Sequence, residues 1–385
     1  MKSRSTFRGC MIGGAAGDAL GYAVEFTETD QIFSQYGSSG ITEFELDAAD
    51  GTAHISDDTQ MALFTAAGLL TGRAMNVALG YPEHIWRAYK DWYNAQSGEG
   101  VEADETVFGS TWLYRVPALN NPRHPGRTCM SVLSSGEKGS LEAPVNDSKG
   151  CGGVMRVAPV GLFFEPGPKL FAEEIDRLGA ESGALTHGHP LGWLPCALLT
   201  RIISTIAYGD TNKYQIPSRQ ETPELASIPE NGLEPIILDS LEVFKEGFKG
   251  TAPEYTEELY ALIKRSIDLA HSDKDDLSVI TELGEGWVAE ETLAIAVFCA
   301  VRYQDDFKKC LIAAVNHDGD SDSTGAVAGN ILGAYLGEEK IPEEYKENLE
   351  ILNIITEIAD DLYDVYKPVD DFMWTAKYIM ANYKM

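Results

Sequence analysis

The chain has 385 residues and no linker-like segment divides it, so we predict one globular domain spanning residues 1–385. Its 60 acidic residues outnumber 30 basic ones and give a formal charge of −30. This excess argues against nucleic-acid binding through a basic surface and against attraction to anionic membranes. No run of residues approaches the roughly 18 to 20 apolar residues of a membrane span, so we also expect no membrane segment.

Six cysteines are scattered along the chain without any Cys-x-x-Cys pair. This pattern is typical of a protein in a reducing compartment. The basic N-terminus and the Gly/Ala-rich run after it resemble a signal peptide, but Asp18 and Glu25 interrupt that run before any long apolar stretch. We therefore expect a soluble, cytoplasmic protein.

The first predicted element is a helix in which Gly9, Gly13, Gly17 and Gly21 recur every four residues. Each glycine costs a helix about 1 kcal/mol relative to alanine, and the close approach of another helix is the expected compensation. Glu25 follows this helix. An isolated acid there is usually a surface group, but beside a metal site it could orient or deprotonate a water molecule.

The first acidic cluster, Ser56–Thr59, leads directly into residues 59–73, which have helical apolar spacing. One interpretation is that Ser56 and Asp57 cap this helix. A cap needs only one such residue, however, and neighbouring carboxylates repel each other unless a cation lies between them. Carboxylate and hydroxyl oxygens are the ligands that Mg²⁺ and Mn²⁺ prefer, so the cluster also predicts a metal site.

Two stretches, residues 96–150 and 209–235, have little periodicity and many Gly, Pro and polar residues, and we predict loop-rich insertions there. The first leads into a glycine loop, Ser148–Gly153. The loop is either a simple turn or a site where backbone N–H groups approach an anionic group such as a phosphate.

Helical spacing recurs further along, at residues 191–208, 236–248, 254–271, 290–304, 322–337 and 342–365. Weak strand candidates lie at 41–46 and 157–164, and the latter fits a helix equally well. The sequence therefore predicts an all-α fold. Between two helical segments, Thr186–Pro190 could line a cleft, although a zinc site from His187 and His189 lacks further ligands.

A second acidic cluster, Asp318–Thr324, precedes a second glycine ridge at Gly325, Gly329, Gly333 and Gly337. If the two ridges pack against each other, the acidic clusters lie near one another on rigid backbone. The residues from Asp320 to Thr324 also fit the nucleophile motif of haloacid-dehalogenase-like phosphatases. That alternative predicts a strand before the motif and a long α/β domain after it, whereas the following residues have helical spacing.

Six motifs in order make the chain resemble the ADP-ribosylglycohydrolase family. They are GCMIGGAAGDALGYAVEF from Gly9, SDDT from Ser56, SKGCGGVMRVAPVG from Ser148, LTHGHP from Leu185, LGEGWVAEETLAIAVF from Leu283 and NHDGDSDSTGAVAGNILGAYLG from Asn316. The resemblance implies a single many-helix, all-α domain with a cleft that holds two divalent cations, Mg²⁺ or Mn²⁺. The implied metal ligands are Ser56, Asp57, Asp58, Asp320, Asp322 and Ser323.

The resemblance also implies a substrate pocket. In it the glycine loop holds the diphosphate and distal ribose of ADP-ribose, His187 lies beside the loop, Gly126 borders the pocket, and Trp287 or Tyr22 stacks on adenine. The implied loop contacts are Ser148, Gly150, Cys151, Gly152 and Gly153.

The implied reaction is hydrolysis of the glycosidic bond between ADP-ribose and a modified acceptor, such as an arginine or serine side chain. Glu25, Asp57 and Asp58 are the implied catalytic residues, and Glu25 is the preferred proton donor. The partner would be an ADP-ribosylated protein or a small-molecule ADP-ribose conjugate. The alternative is a catalytically silent protein that binds ADP-ribose or a nucleotide.

The sequence departs from the family pattern at four positions. Ser56 and Ser323 stand where Thr is more frequent, which retains the hydroxyl group. Asp318 replaces a usual glycine and adds charge that could alter metal preference. Cys151 stands where several relatives have Asn, so substrate contacts there are expected to differ.

Overall fold

The structure is a computed structural model, and it describes residues 3–75, 80–97, 111–167, 170–209, 232–365 and 372–379. These residues form sixteen α-helices and no β-strand, only three isolated bridges, so the predicted all-α fold is confirmed. The helices, in chain order, are α1 Arg4–Tyr22, α2 Thr29–Tyr36, α3 Asp57–Ala74, α4 Tyr81–Gln96, α5 Arg127–Ser135, α6 Ala158–Phe163, α7 Ala172–Ala184, α8 Pro190–Tyr208, α9 Leu233–Phe248, α10 Pro253–Ala270, α11 Asp276–Leu283, α12 Ala289–Arg302, α13 Phe307–Val315, α14 Ser321–Leu336, α15 Leu352–Asp364 and α16 Phe372–Ile379.

Six of the periodic segments are confirmed as helices, namely those that became α3, α8, α9, α10, α12 and α14. The seventh, residues 342–365, was wrong in its first half, because α15 begins only at Leu352. The preceding residues pair with Ala53 instead, whose amide donates to Asn348 at 2.8 Å and whose carbonyl accepts from Glu350 at 3.0 Å. A partner distant in sequence therefore replaces the local helix.

The weak strand candidate at residues 41–46 does not form a strand. The side chain of Asn316 takes the place of a strand partner there: its Oδ1 accepts from the Ile41 amide at 2.8 Å and its Nδ2 donates to the Ile41 carbonyl at 2.9 Å. The ambiguous segment 157–164 is helical, as α6.

The two predicted insertions lie partly outside the described residues. Positions 98–110 and 210–231 are not described. The remainder of 96–150 is less loop-rich than expected, since it contains α5 and two 3₁₀ turns, Trp112–Arg115 and Pro117–Asn120.

We expected no segment long and apolar enough to cross a membrane, but one described helix meets that description by length and composition alone. Helix α8 has 19 residues and a mean hydropathy of 1.3 over its most apolar window. Since 89% of that window is buried inside the protein, α8 is a core helix.

The two glycine ridges pack against each other at the centre of the fold. Helices α1 and α14 run antiparallel, so that Gly13 faces Gly329 and Gly17 faces Gly325. A Cβ atom at any of these positions would collide with a carbonyl group of the facing helix. This contact places the end of α1 beside the start of α14 and so brings the segment carrying Glu25 to the second acidic cluster.

We predict that Gly17→Ala destabilises the protein by at least about 2 kcal/mol, although alanine is the better helix former, because the added methyl group forces two backbones apart. Urea denaturation followed by circular dichroism would measure the change in free energy of unfolding. Gly250→Ala is the matched control, since nothing lies within 4 Å of its Cβ position. Equal stability of the two variants would contradict the proposed packing.

Candidate active site

The first acidic cluster is held by a buried carboxylate from α1. Asp18 accepts hydrogen bonds from the Ser56 amide at 3.0 Å, from the Thr59 amide at 3.0 Å and from the Thr59 hydroxyl. It is fully buried, so these donors replace water. Sequence reasoning missed this role; the available signal was an acidic residue in the middle of an apolar, glycine-rich helix.

Within the first cluster, the residue that caps the helix differs from the residue with an unpartnered carboxylate oxygen. Ser56 is fully buried and caps α3, since its Oγ accepts from the Asp58 amide at 3.1 Å. Asp57 accepts from the Gly126 amide at 3.1 Å. Asp58 Oδ2 is buried and has no hydrogen-bond partner in the described part of the chain.

In the second cluster, two carboxylates share one backbone donor. Asp320 caps α14 by accepting from the Ser323 amide at 3.2 Å, and Asp322 accepts from the same amide at 2.9 Å. Asp318 is turned toward α2, where one carboxylate oxygen accepts from both the amide and the hydroxyl of Thr29. The carboxylate of Asp318 thus binds the first residue of α2.

Both clusters open into one cavity of about 540 Å³. Twelve of the predicted site residues line it: Glu25, Asp57, Asp58, Gly126, Gly150, Cys151, Gly152, His187, Trp287, Asp320, Asp322 and Ser323. The other three, Ser56, Ser148 and Gly153, do not line it. The Ser148 hydroxyl pairs with the Thr128 hydroxyl at 3.1 Å, and a Cβ on Gly153 would lie 2.9 Å from the Gly192 carbonyl oxygen of α8.

The carboxylates of this cavity are crowded and poorly solvated. Burial, reinforced by neighbouring acids, raises the pKa of Asp57 to about 8 and that of Glu25 to about 9. The pKa values of Asp58 and Asp322 are also raised well above their usual range by burial and by neighbouring carboxylates. Each of these groups is therefore costly to ionise unless a cation lies among them.

These residues fit divalent cations. The donor set is made of carboxylate and hydroxyl oxygens, which suits Mg²⁺ and Mn²⁺. The orphaned Asp58 Oδ2 is a buried acceptor without a donor, which a bound cation would satisfy.

Glu25 is held at the cavity wall by a histidine that sequence reasoning missed. His124 Nδ1 lies 2.9 Å from Glu25 Oε2, and both residues line the cavity. Above them, Phe26 stacks on Trp287 with ring centroids 5.4 Å apart and an interplanar angle of 18°. Tyr22, the other predicted adenine-stacking residue, packs edge-on against His124 and faces a neighbouring cavity.

The glycine loop is tied to the segment that precedes α12. The Cys151 amide donates to the Trp287 carbonyl at 3.2 Å, and the Ala289 amide donates to the Lys149 carbonyl at 2.9 Å. The same segment supports the second cluster, since the Asp320 amide donates to the Glu285 carbonyl at 2.8 Å. The expectation of free N–H groups is therefore not met at Cys151, whose amide is already used.

A buried polar chain fixes the orientation of His187. Arg156 Nη2 donates to Thr186 Oγ1 at 2.7 Å, and Thr186 Oγ1 lies 2.8 Å from His187 Nδ1. The Thr186 hydroxyl can accept from the guanidinium and donate its own proton to Nδ1, and we expect this arrangement, with the imidazole proton on Nε2. Burial, with help from Arg156, lowers the pKa of His187 to about 3. His187 is thus neutral in the cavity wall.

A family model described as ADP-ribosylglycohydrolase matches residues 1–371. The match covers nearly the whole chain. The chain belongs to the ADP-ribosylglycohydrolase family.

Relatives of similar length support this assignment. ADP-ribosylhydrolase ARH3 of Mus musculus is 26% identical over 389 residues, covering 95% of this chain and 93% of the relative. The ADP-ribosyl-[dinitrogen reductase] glycohydrolase of Rhodospirillum rubrum is 24% identical over 349 residues, covering 89% and 90%. A solved structure described as an ADP-ribosylglycohydrolase-related protein complex has a TM-score of 0.56 at 22% identity, covering 94% of this chain and 98% of that chain.

As a member of the ADP-ribosylglycohydrolase family, the protein is an enzyme, a glycosidase that acts on linkages to ADP-ribose. The phosphatase alternative was wrong, because helix α13, and no strand, precedes Asp320. A zinc site from the two neighbouring histidines also finds no support. His189 Nδ1 caps α8 by accepting from the Leu191 amide at 3.1 Å, whereas His187 faces the cavity.

The hydrogen bonds that join Arg156, Thr186 and His187 lead to a spectroscopic prediction. We expect ¹⁵N NMR to show the His187 proton on Nε2 in the unaltered protein and in Thr186→Ser, which keeps the hydroxyl. Thr186→Val removes the proton donor to Nδ1, so the Nδ1-protonated form should appear. Finding the proton on Nδ1 before any substitution would rule out the proposed direction of the hydrogen bonds.

Proposed function

We propose that the protein is a metal-dependent hydrolase that cleaves the glycosidic bond between ADP-ribose and a modified acceptor, such as an arginine or serine side chain. The observation that carries the proposal is the convergence of two acidic helix N-termini on one cavity, with Asp58 Oδ2 buried and unpartnered. Family membership supplies the ADP-ribose linkage. The acidic cavity supplies the argument for metal dependence.

Two divalent cations, Mg²⁺ or Mn²⁺, are the proposed cofactors. The proposed ligands are Ser56, Asp57, Asp58, Asp320, Asp322 and Ser323. When bound, such ions would offset the mutual repulsion of the carboxylates and hold the ribose hydroxyls close to the reacting carbon. Ser56 would bind through its hydroxyl oxygen, which also accepts from the Asp58 amide.

Glu25 is the proposed proton donor to the leaving group. Its side chain lines the same cavity as the two acidic clusters, and His124 holds one carboxyl oxygen in place. Cleavage of a glycosidic bond passes through an oxocarbenium-like state, in which a protonated leaving group departs more easily. Asp57 and Asp58 are the residues proposed to orient the attacking water.

The remaining walls of the cavity are proposed to bind ADP-ribose. Gly150, Cys151 and Gly152 present a surface without bulky side chains beside His187, whose Nε2–H can donate to a phosphate or ribose oxygen. Trp287 is 37% exposed and Phe26 is 64% exposed. Such exposed rings offer a stacking surface for adenine.

We further propose that the substrate is an ADP-ribosylated protein or a small-molecule ADP-ribose conjugate in the cytoplasm. The R. rubrum relative is named for its action on a modified protein, dinitrogen reductase. All six cysteines are free, five of them buried, which agrees with a reducing compartment.

The metal requirement is tested with Asp322→Asn. We expect Mg²⁺ or Mn²⁺ to support release of ADP-ribose from modified arginine or serine peptides, and EDTA to abolish it. Asp322→Asn should lower the rate by about 100-fold or more, and it should reduce the rise in melting temperature that Mn²⁺ produces in the unaltered protein.

Asp318→Asn is the matched control for this experiment, because Asp318 lies in the same cluster but its carboxylate faces Thr29. Its rate and its Mn²⁺ response should remain close to those of the unaltered protein. Release that persists in EDTA would contradict metal dependence. Calorimetric binding of ADP-ribose without turnover of any conjugate would favour the silent binder.

The role of Glu25 is tested with Glu25→Gln, which should lower kcat by about 100-fold on arginine or serine conjugates, the usual scale for loss of a general acid. A conjugate with a nitrophenolate leaving group needs no proton, so its hydrolysis should be far less affected. Glu28→Gln, at an exposed acid of the same segment, is the control. Equal losses on both kinds of substrate would show that Glu25 does not act on the leaving group.

A further inference from the structure

Cys151 places a sulfur atom inside the acidic cavity. Its Sγ lies 2.8 Å from Asp320 Oδ2, and the side chain lines the cavity together with Asp58 and Ser323. The residue opens the 3₁₀ turn Cys151–Gly153, and its amide is tied to the Trp287 carbonyl at 3.2 Å. The position of the sulfur is thus set by the backbone.

The carboxylates around this sulfur have few hydrogen-bond donors. Asp58 is 3% exposed, and its Oδ2 has no hydrogen-bond partner within the described residues. The thiol itself donates to Asp320. A cation at this point would therefore meet carboxylate oxygens on one side and a sulfur atom on the other.

The chemistry of the two ligand types differs. Mg²⁺ and Mn²⁺ select oxygen ligands, whereas thiolates select softer ions such as Zn²⁺ and Cd²⁺. An oxygen-only site discriminates weakly against these softer ions, and an added thiolate raises its affinity for them specifically. A single sulfur can therefore change which metals the same carboxylates retain.

We propose that Cys151 is a conditional metal ligand that makes this cavity a high-affinity site for thiophilic divalent cations. With Mg²⁺ or Mn²⁺ the thiol keeps its proton and donates to Asp320. With Cd²⁺ or Zn²⁺ the S–H bond breaks, a sulfur–metal bond forms and the proton passes to the buffer, so that no oxidant or reductant is needed. The trapped ion occupies the carboxylates that the hard ions would use. The inference rests on the proposed function only in assigning cations to these carboxylates.

The other cysteines allow a clean test. Cys10, Cys196, Cys299 and Cys310 are buried away from the cavity. Cys129 also lines the cavity, but its Sγ accepts from Arg156 Nη1 at 3.3 Å. Cys129→Ser is therefore the matched control for Cys151→Ser.

The experiment titrates the metal-free, full-length protein with Cd²⁺ and records the ultraviolet charge-transfer absorption of a thiolate–cadmium bond. We expect this band to grow to saturation at one equivalent or fewer in the unaltered protein and in Cys129→Ser. Cys151→Ser should lack the band and should bind Cd²⁺ at least about tenfold more weakly by calorimetry. At saturating Cd²⁺, the unaltered protein should also release one proton more than Cys151→Ser, measured with a pH indicator.

Three results would overturn the inference: no band in the unaltered protein, no binding of Cd²⁺ at all, or a full band in Cys151→Ser. Mn²⁺ binding, followed by electron paramagnetic resonance on the same samples, separates this inference from the proposed function. If Mn²⁺ binds and conjugates are hydrolysed while no band forms, the hydrolase proposal stands and the role of Cys151 fails. If Mn²⁺ does not bind either, the metal site itself fails.

Discussion

The structure depends on one contact, the close packing of α1 against α14. Glycines on both helices let the backbones meet with no side chain between them, and the antiparallel arrangement sets the end of one helix beside the beginning of the other. Asp18 of α1 then binds the amides at the start of α3. A single helix pair therefore fixes both acidic clusters, and a small change in its spacing would be transmitted to both.

The cost of this arrangement appears in the carboxylates. Burying Glu25, Asp57, Asp58 and Asp322 together raises their pKa values, so part of the folding energy is spent in keeping acids where water cannot solvate them. Carboxyl groups with raised pKa values, clustered at a cavity, are typical of a functional site. Membership in the ADP-ribosylglycohydrolase family agrees with a site at this place.

Much of the fold and part of the candidate site could be predicted from sequence, and the failures have a common cause. Helix α3 was predicted because its apolar spacing is a local signal. Close packing of each glycine ridge against another helix was predicted because the glycines are costly without it. The first half of the helix predicted at 342–365 was wrong, and the weak strand candidate at 41–46 is not a strand, because Ala53 and Asn316, distant in sequence, supply the hydrogen bonds of these segments. Asp18 and His124 were missed for the same reason, since their roles exist only through tertiary contacts.

The separation of the two ridges along the chain also has a consequence for folding. Gly9 meets Gly333, so the central contact closes a loop that contains most of the protein, and closure of so long a loop is entropically slow. Since α1 precedes α14 by most of the chain, its glycine ridge has no partner until α14 has been made. A chain that lacks α14 therefore lacks both the facing glycine ridge and the second acidic cluster, so its cavity is incomplete.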